Sequence, residues 1–162
     1  MLVVEKGKTN YGVRLVSTEA IPRGRVFFAI RDYREVPAPT YQTIQVGPSR
    51  HIEELGVIAH LNHSCRPNVL VHIGRLECIA LADVAPGEEL TFFYPSTEWE
   101  MARPFACQCG APECVGRVTG ARSLPVEVLA RYYINEHIRD MIQAELSAAE
   151  KPFQALMNQS AA

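Results

Sequence analysis

The sequence predicts a mainly β chain with an added C-terminal α-helix. Short apolar or alternating runs recur between Pro- and Gly-marked turns from Leu2 to Tyr94, with no alternation of strand and helix patterns. From Ser123 the apolar residues switch to helical spacing. The 162 residues, 48% of them hydrophobic, suffice for one domain with a real core. A net charge of -2 gives no basic field, so no direct nucleic-acid binding is expected. No apolar run is long enough to span a bilayer, and the N-terminus lacks a signal-peptide layout. A cytoplasmic or nuclear protein with no membrane partner is therefore expected.

Leu2-Val3-Val4 starts a first strand. Lys8 to Gly12 is a turn by composition, and Val13 to Ser17 alternates as a strand does. Ile21-Pro22-Arg23-Gly24 turns the chain into a buried strand, Val26 to Ile30. Asp32 to Ser49 is polar and proline-marked, a loop with a short strand near Tyr41 to Val46. Tyr33 and Tyr41 there serve either packing or the wall of a groove. Arg50 to Leu61 supplies one or two short helical or extended turns. Val69 to Ile73 and Leu76 to Ala82 are strands around the Gly74-Arg75 turn, with Cys78 as a buried apolar filler.

After the turn at Ala85-Pro86-Gly87-Glu88, Glu89 to Tyr94 is a strand ending at its tyrosine. Glu88 and Glu89 read as a solvated turn without catalytic work. Ser96 or Thr97 can cap a short helix containing Trp99. Ser123 and Pro125 open the C-terminal helix. Its stripe runs through Val126, Leu129, Tyr133, Ile134, Ile138, Met141, Ile142 and Leu146, with Pro152 just past its expected end. The stripe serves packing or a homodimer contact. The tail to Ala162 is expected to fray.

Five cysteines make an odd set, and three of them cluster in Cys107-Gln108-Cys109 and Cys114. In a reducing compartment such a cluster points to metal more than to disulfides. Three thiolates on one tight loop leave a tetrahedral zinc site one ligand short. A redox-active or incidental cluster is the alternative at this point. Asn62 and His63 either satisfy backbone in a turn or meet a polar ligand. His51, His60 and His72 are surface or core histidines.

The order Asn62-His63-Ser64-Cys65, then Glu89-Leu90-Thr91-Phe92-Phe93-Tyr94, then the Cys107 to Cys114 loop resembles a SET domain with its post-SET zinc segment. SET domains are protein-lysine methyltransferases that use S-adenosylmethionine. The resemblance implies a β-clip-like fold of small curved sheets with a knot-like C-terminal threading. It divides the chain into a SET domain over 1–100, a zinc-binding loop over 101–120, a helix over 121–150 and a tail over 151–162. It supplies Cys65 as the fourth zinc ligand beside Cys107, Cys109 and Cys114. It assigns cofactor contact to Asn62 and His63, to Phe105 near the cysteine loop, and to the first turn, Asn10-Tyr11-Gly12. That turn stands where the family usually has Gly-x-Gly, and Leu55 to His60 stands where many members have Gly-Asn-x-x-Arg-Phe.

By the same resemblance Tyr94 is the catalytic residue. A lysine amine, with pKa about 10.4, must shed a proton before it attacks a methyl in line. A tyrosine hydroxyl at the channel mouth can orient that amine, whereas a phenol of pKa about 10 is a poor general base near pH 7. The expected activity is methyl transfer to the ε-amine of a lysine in a protein substrate, histones included. The alternative is an inactive, zinc-structured SET-fold interaction module.

Overall fold

A computed structural model describes residues 1–6 and 12–159, with Lys6 and 151–159 as backbone alone. The strands are β1 (Leu2–Lys6), β2 (Val13–Ser17), β3 (Val26–Ala29), β4 (Tyr33–Val36), β5 (Thr43–Gly47) and β6 (Arg50–Glu54). They continue with β7 (Asn62–His63), β8 (Val69–His72), β9 (Glu77–Ala80), β10 (Thr91–Phe92), β11 (Phe105–Ala106) and β12 (Arg117–Val118). Two helices follow, α1 (Val126–Leu129) and α2 (Glu136–Gln159). The expectation of a mainly β chain of small sheets with a C-terminal helix holds.

Three-stranded sheets run in the orders β3-β9-β8 and β4-β6-β5. β1 and β2 form an antiparallel pair, as do β11 and β12. β7 and β10 pair in parallel, Asn62 opposite Thr91 and His63 opposite Phe92. Leu15, Ile52, Val69, Val71 and Leu90, each at most 1% exposed, form the core between the sheets. A second, smaller core lies under the C-terminal elements, with Phe93, Ala121, Leu129 and Ile138 buried together.

Several sequence expectations change. β3 is an edge strand rather than a buried one, and Val26 is 45% exposed. β4 lies in the stretch read as loop. Its residues Tyr33, Arg34 and Glu35 are all exposed, so no inward face marks it. The strand expected over Glu89 to Tyr94 keeps only two residues. The Asn68 side chain takes the Thr91 N–H (2.9 Å) and gives to the Glu89 carbonyl (2.8 Å), replacing a ladder partner. No helix holds Trp99; instead Tyr94–Ser96 makes one 3-10 turn.

The single C-terminal helix is two. α1 ends at Leu129, and α2 begins at Glu136 and continues through Pro152. The break lets Tyr132 stack on Phe93, ring centroids 3.7 Å apart at 6°. Asn135 then restarts the helix, its carbonyl accepting from the Ile138 and Arg139 N–H groups (3.1 Å each). Its side chain is the clamp between helix and sheets. Oδ1 accepts from the Ile73 N–H (2.8 Å), while Nδ2 donates to the carbonyls of Val71 (2.9 Å) and Ser96 (3.0 Å).

Gly120 fixes the other junction. Its φ is +109°, and a Cβ there would stand 2.3 Å from the Trp99 carbonyl oxygen. The close approach allows two flanking bonds, Met101 N–H to the Thr119 carbonyl (2.9 Å) and Ala121 N–H to the Glu98 carbonyl (2.8 Å).

Asn135 is 1% exposed, so its truncation strands the Ile73 donor and the Val71 acceptor away from water. Each stranded group costs about 1–3 kcal/mol. Asn135→Ala is expected to lower the unfolding free energy by roughly 3 kcal/mol in urea titrations. A loss below about 1 kcal/mol would mean that the clamp is dispensable.

Candidate active site and metal centre

The Leu61–Ser64 backbone carries the centre of the site. Its parallel pairing with β10 is only two residues long, so side chains extend it. The Ser64 N–H adds one bond to the Phe92 carbonyl (3.0 Å). Tyr94 closes over it twice: its N–H donates to His63 Nδ1 (3.2 Å) and its hydroxyl donates to the Leu61 carbonyl (2.7 Å).

Two concavities are lined by this backbone. A narrow groove is lined by Ile44, Leu61, Phe92, Tyr94, Glu98 and Met101, with Tyr41 also in its wall. Arg103 lies 5.7 Å over the Tyr41 ring. Tyr33 is not among the groove residues. A separate cleft of about 140 Å³ is lined by Asn62, His63, Ser64, Glu89, Gln108 and Cys109. Leu61 thus faces one concavity and the next three residues the other.

Asn62 Nδ2 donates to the Val13 carbonyl and to Glu89 Oε1, both at 2.8 Å. The first bond ties the start of β2, the residue after Gly12, to Asn62 of the cleft. Gly12 has φ +85°, a conformation that favours glycine, and a Cβ there would meet nothing within 4 Å. Asn10 and Tyr11, the other two residues of the predicted turn, lie outside the described residues. Phe105 sits on β11 with its ring edge toward His63 (6.0 Å) and Tyr94 (6.1 Å). His63 and Tyr94 are themselves 5.3 Å apart, edge to face. Tyr94, His63 and Phe105, drawn from three strand ends, therefore form one aromatic cluster.

Glu89 is the site residue that its solvated-turn reading missed. It is half-buried, holds Asn62 and lines the cleft. Adjacent glutamates after Pro-Gly carry no signal that separates Glu89 from Glu88. Asn68, which ties β10 down, was equally silent.

The four cysteines converge. Ligand atoms of Cys65, Cys107, Cys109 and Cys114 all lie within 4.8 Å of one another, with the Cys65 and Cys107 sulfurs 3.9 Å apart. A tetrahedral zinc with Zn–S of about 2.3 Å needs sulfurs about 3.8 Å apart. The donor set is therefore of the right kind, number and size for structural zinc. Without a cation the thiols hold their protons unequally. Burial pushes Cys65 up to about 11 and Cys107 higher still. Burial also opposes ionisation of Cys109, but N–H groups of Ala111 and Cys65, with the Cys107 and Cys65 thiols, bring it down to about 7. A bound dication would favour the thiolate at all four.

His63 joins the two centres. Burial lowers its pKa to about 4, so the ring is neutral. Its Nδ1 accepts from Tyr94, which puts the proton on Nε2, 3.3 Å from Cys65 Sγ. One imidazole thus supports a sulfur of the four-thiol centre and orients the tyrosine backbone.

A β-clip of small sheets, a groove lined by Tyr94 and a cleft lined by the adjoining Asn62–Ser64 backbone, and a four-thiol centre define a SET-type methyltransferase. The SET domain family matches residues 12–95, more than half of the chain, and the chain belongs to that family. It is 38% identical over 143 residues to the methyltransferase flvH of Aspergillus flavus, covering 87% of this chain and 80% of that protein. It is 37% identical over 68 residues to the H3 lysine-4 specific histone-lysine N-methyltransferase of Saccharomyces cerevisiae, spanning 6% of that protein. The fold matches a crystal structure of KRYPTONITE with mCHH DNA, H3(1-15) peptide and SAH, at TM-score 0.57 and 25% identity. That match covers 72% of this chain and 29% of the other. The methyltransferase domain of human SETMAR matches at TM-score 0.54 and 21% identity, covering 74% and 58%. S-adenosylmethionine is the methyl donor of SET methyltransferases, and the enzyme reading stands over that of an inactive module. Among the described residues no helix is long and apolar enough to cross a membrane.

Two measurements test the site. Removing zinc with a chelator is expected to lower Tm by roughly 5–10 °C. It should expose the Cys107 amide, bonded to Gly116 (2.8 Å), to hydrogen exchange before the β8–β9 amides. Equal protection with and without metal would remove zinc as the organiser of the loop.

Glu98, 7% exposed, accepts at Oε1 from the Gln45 N–H (2.9 Å) and the Thr97 hydroxyl (3.0 Å). Burial outweighs both bonds and pushes its carboxyl up to about 7 from the ordinary 4.5. The folded protein then binds the proton more tightly, so stability is lost as pH rises between those values, by about 3 kcal/mol. Glu98→Gln keeps both acceptor contacts and is expected to flatten this slope and stabilise the protein above pH 7. An unchanged urea-midpoint profile across that range would refute the assignment.

Proposed function

We propose that the protein transfers a methyl group from S-adenosylmethionine to the ε-amine of a lysine in a protein substrate, histones included. One observation carries this reading: consecutive residues line the two concavities, Leu61 the groove and Asn62 to Ser64 the cleft, with the Tyr94 hydroxyl in the groove bonded to the Leu61 carbonyl. An amine entering by the groove and a donor seated in the cleft would approach from opposite sides, as an in-line displacement requires.

When bound, S-adenosylmethionine supplies a methyl on a positively charged sulfur. In this proposal Asn62, His63 and Phe105 hold the donor, with Gly12 and its neighbours Asn10 and Tyr11. The Asn62 amide nitrogen already serves the protein, so the donor would meet its Oδ1 and nearby backbone. Tyr94 is the catalytic residue. A hydroxyl that donates to a carbonyl becomes a stronger acceptor, and the Tyr94 oxygen would receive an N–H of the incoming amine and aim its lone pair. Cys65, Cys107, Cys109 and Cys114 would hold zinc and keep the loop that carries Phe105 over the site.

The proposal takes 1–100 as the SET domain and 101–120 as the zinc loop, with 121–150 and 151–162 as a C-terminal appendage. The setting is taken as nuclear or cytoplasmic, and histone-directed relatives support a protein substrate and the nuclear alternative. No direct nucleic-acid contact is part of the reading. Self-association through α2 would have to use its stripe near Leu146, which is 48% exposed, because Ile138 is fully buried at home.

Labelled methyl transfer from S-adenosylmethionine to histones and total cell protein tests this. Tyr94→Phe is expected to lower kcat about a hundredfold with donor affinity unchanged. Equal turnover in the variant would remove Tyr94 from the chemistry. No label on any protein lysine from the zinc-loaded wild type would remove the protein substrate.

A further inference from the structure

One apolar cavity is neither the groove nor the cleft. About 430 Å³ lies among Pro67, Val69, Leu70, Leu81, Phe93 and Tyr132. A second cavity of about 330 Å³ lies beyond it, against Val126, Leu129, Ile134 and Ile142. Tyr132 and Tyr133 line both. Neither cavity shares a lining residue with the groove or the cleft.

The apolar parts of this trough face water. Leu81 and Tyr133 are each 39% exposed and Val126 is 53% exposed. Its rim is cationic. Arg66 and Arg131 line the first cavity and Arg139 the second, all three exposed. Among the described residues none of the three makes an ion pair, and Glu113 is the one acid lining either cavity. The chain as a whole carries a net charge of -2, so this surplus is local.

We infer that this trough is a docking site for an acidic amphipathic segment of a partner protein, separate from the substrate groove. Two apolar pits divided by a tyrosine wall fit two apolar side chains of one segment, spaced as on one helix face. Aromatic and arginine side chains together make the strongest anchors in interfaces, and carboxylates flanking the apolar pair would meet the unpaired guanidiniums. A small anion would leave the apolar pits in water, and a basic segment would be repelled.

The site also touches the catalytic framework. The Tyr132 hydroxyl donates to the Cys65 carbonyl (2.8 Å), and its ring stacks on Phe93, the neighbour of Tyr94. A docked segment would therefore rest against a residue that braces both the cysteine centre and the tyrosine turn.

The test is selection of a random peptide library on the zinc-loaded full chain, with counter-selection on Arg131→Glu and on Tyr133→Ser. Expected winners carry two apolar anchors flanked by Asp or Glu. A synthetic winner should lose about tenfold in affinity on each variant and weaken as salt rises. It should bind Tyr94→Phe as tightly as wild type, which separates this site from the substrate groove. Both trough variants should keep basal methyl transfer, and Arg131→Glu the wild-type melting temperature. Tyr133→Ser gives up a ring contact with His72 (centroids 5.5 Å apart) and should melt a few degrees lower.

The inference fails if no peptide is enriched, if the winners are basic or uncharged, or if they bind the variants as tightly as wild type. It also fails if sedimentation finds a dimer that Arg131→Glu splits, because a second copy then fills the trough.

Discussion

The parallel contact between β7 and β10 is the constraint on which the site depends. Two residue pairs cannot hold two chain segments by backbone bonds alone. The contact survives because polar side chains around it are spent on backbone groups. Asn68 ties the end of the Asn62–Cys65 segment to Glu89 and Thr91. Tyr94 ties the exit of β10 to Leu61 and His63. Asn62 ties the same segment to β2 and Glu89. Asn62 and Tyr94 sit where a ligand or substrate is proposed to approach, so the fold and the site draw on overlapping hydrogen bonds. A substitution that disturbs the chemistry there will disturb the packing as well.

The cysteine centre extends that constraint to the C-terminal third. Cys65 comes from the β7 side of the molecule and the other three thiols from the β11–β12 loop. The loop is polar and half-exposed, with a two-residue ladder and no core of its own. Gathering four thiols without a cation gives little to hold such a loop, whereas four thiolates on a dication would hold it firmly. His63 makes the coupling direct, since its ring lies between Cys65 and the Tyr94 backbone. Order in the loop and alignment of the tyrosine are thus two ends of one imidazole.

The sequence made the short strands β1, β2, β5, β8 and β9 legible because their apolar residues alternate or cluster. Three of the four thiols were legible from their spacing alone, and Cys65 only through the family likeness, because its partners lie more than forty residues away. What stayed hidden has a common physical cause. β4 has no buried face, so it leaves no pattern. The C-terminal stripe continued across the break between α1 and α2 because Tyr133 and Ile134 happen to fall on helical spacing. Asn68, Glu89 and Asn135 act through bonds between a side chain and distant backbone or amide groups. Such bonds need one polar residue at one place and recur with no period, so neither composition nor spacing reveals them.

The break in the C-terminal helix has a structural purpose. An unbroken helix would carry Tyr132 past Phe93 and leave the Cys65 carbonyl without its partner. By stopping α1 early the chain gives up regular helical bonding after Tyr132 and compensates through Asn135, whose side chain satisfies three backbone groups of the sheets and turns. The exchange fixes Tyr132 between the Phe93–Tyr94 turn and the cysteine centre, with one edge left on the surface. A protein of this size has few ways to let an outside contact reach its active framework. The tyrosine wall is one, because its inner face touches the residues that hold Tyr94 and its outer face lines an apolar trough rimmed by unpaired arginines.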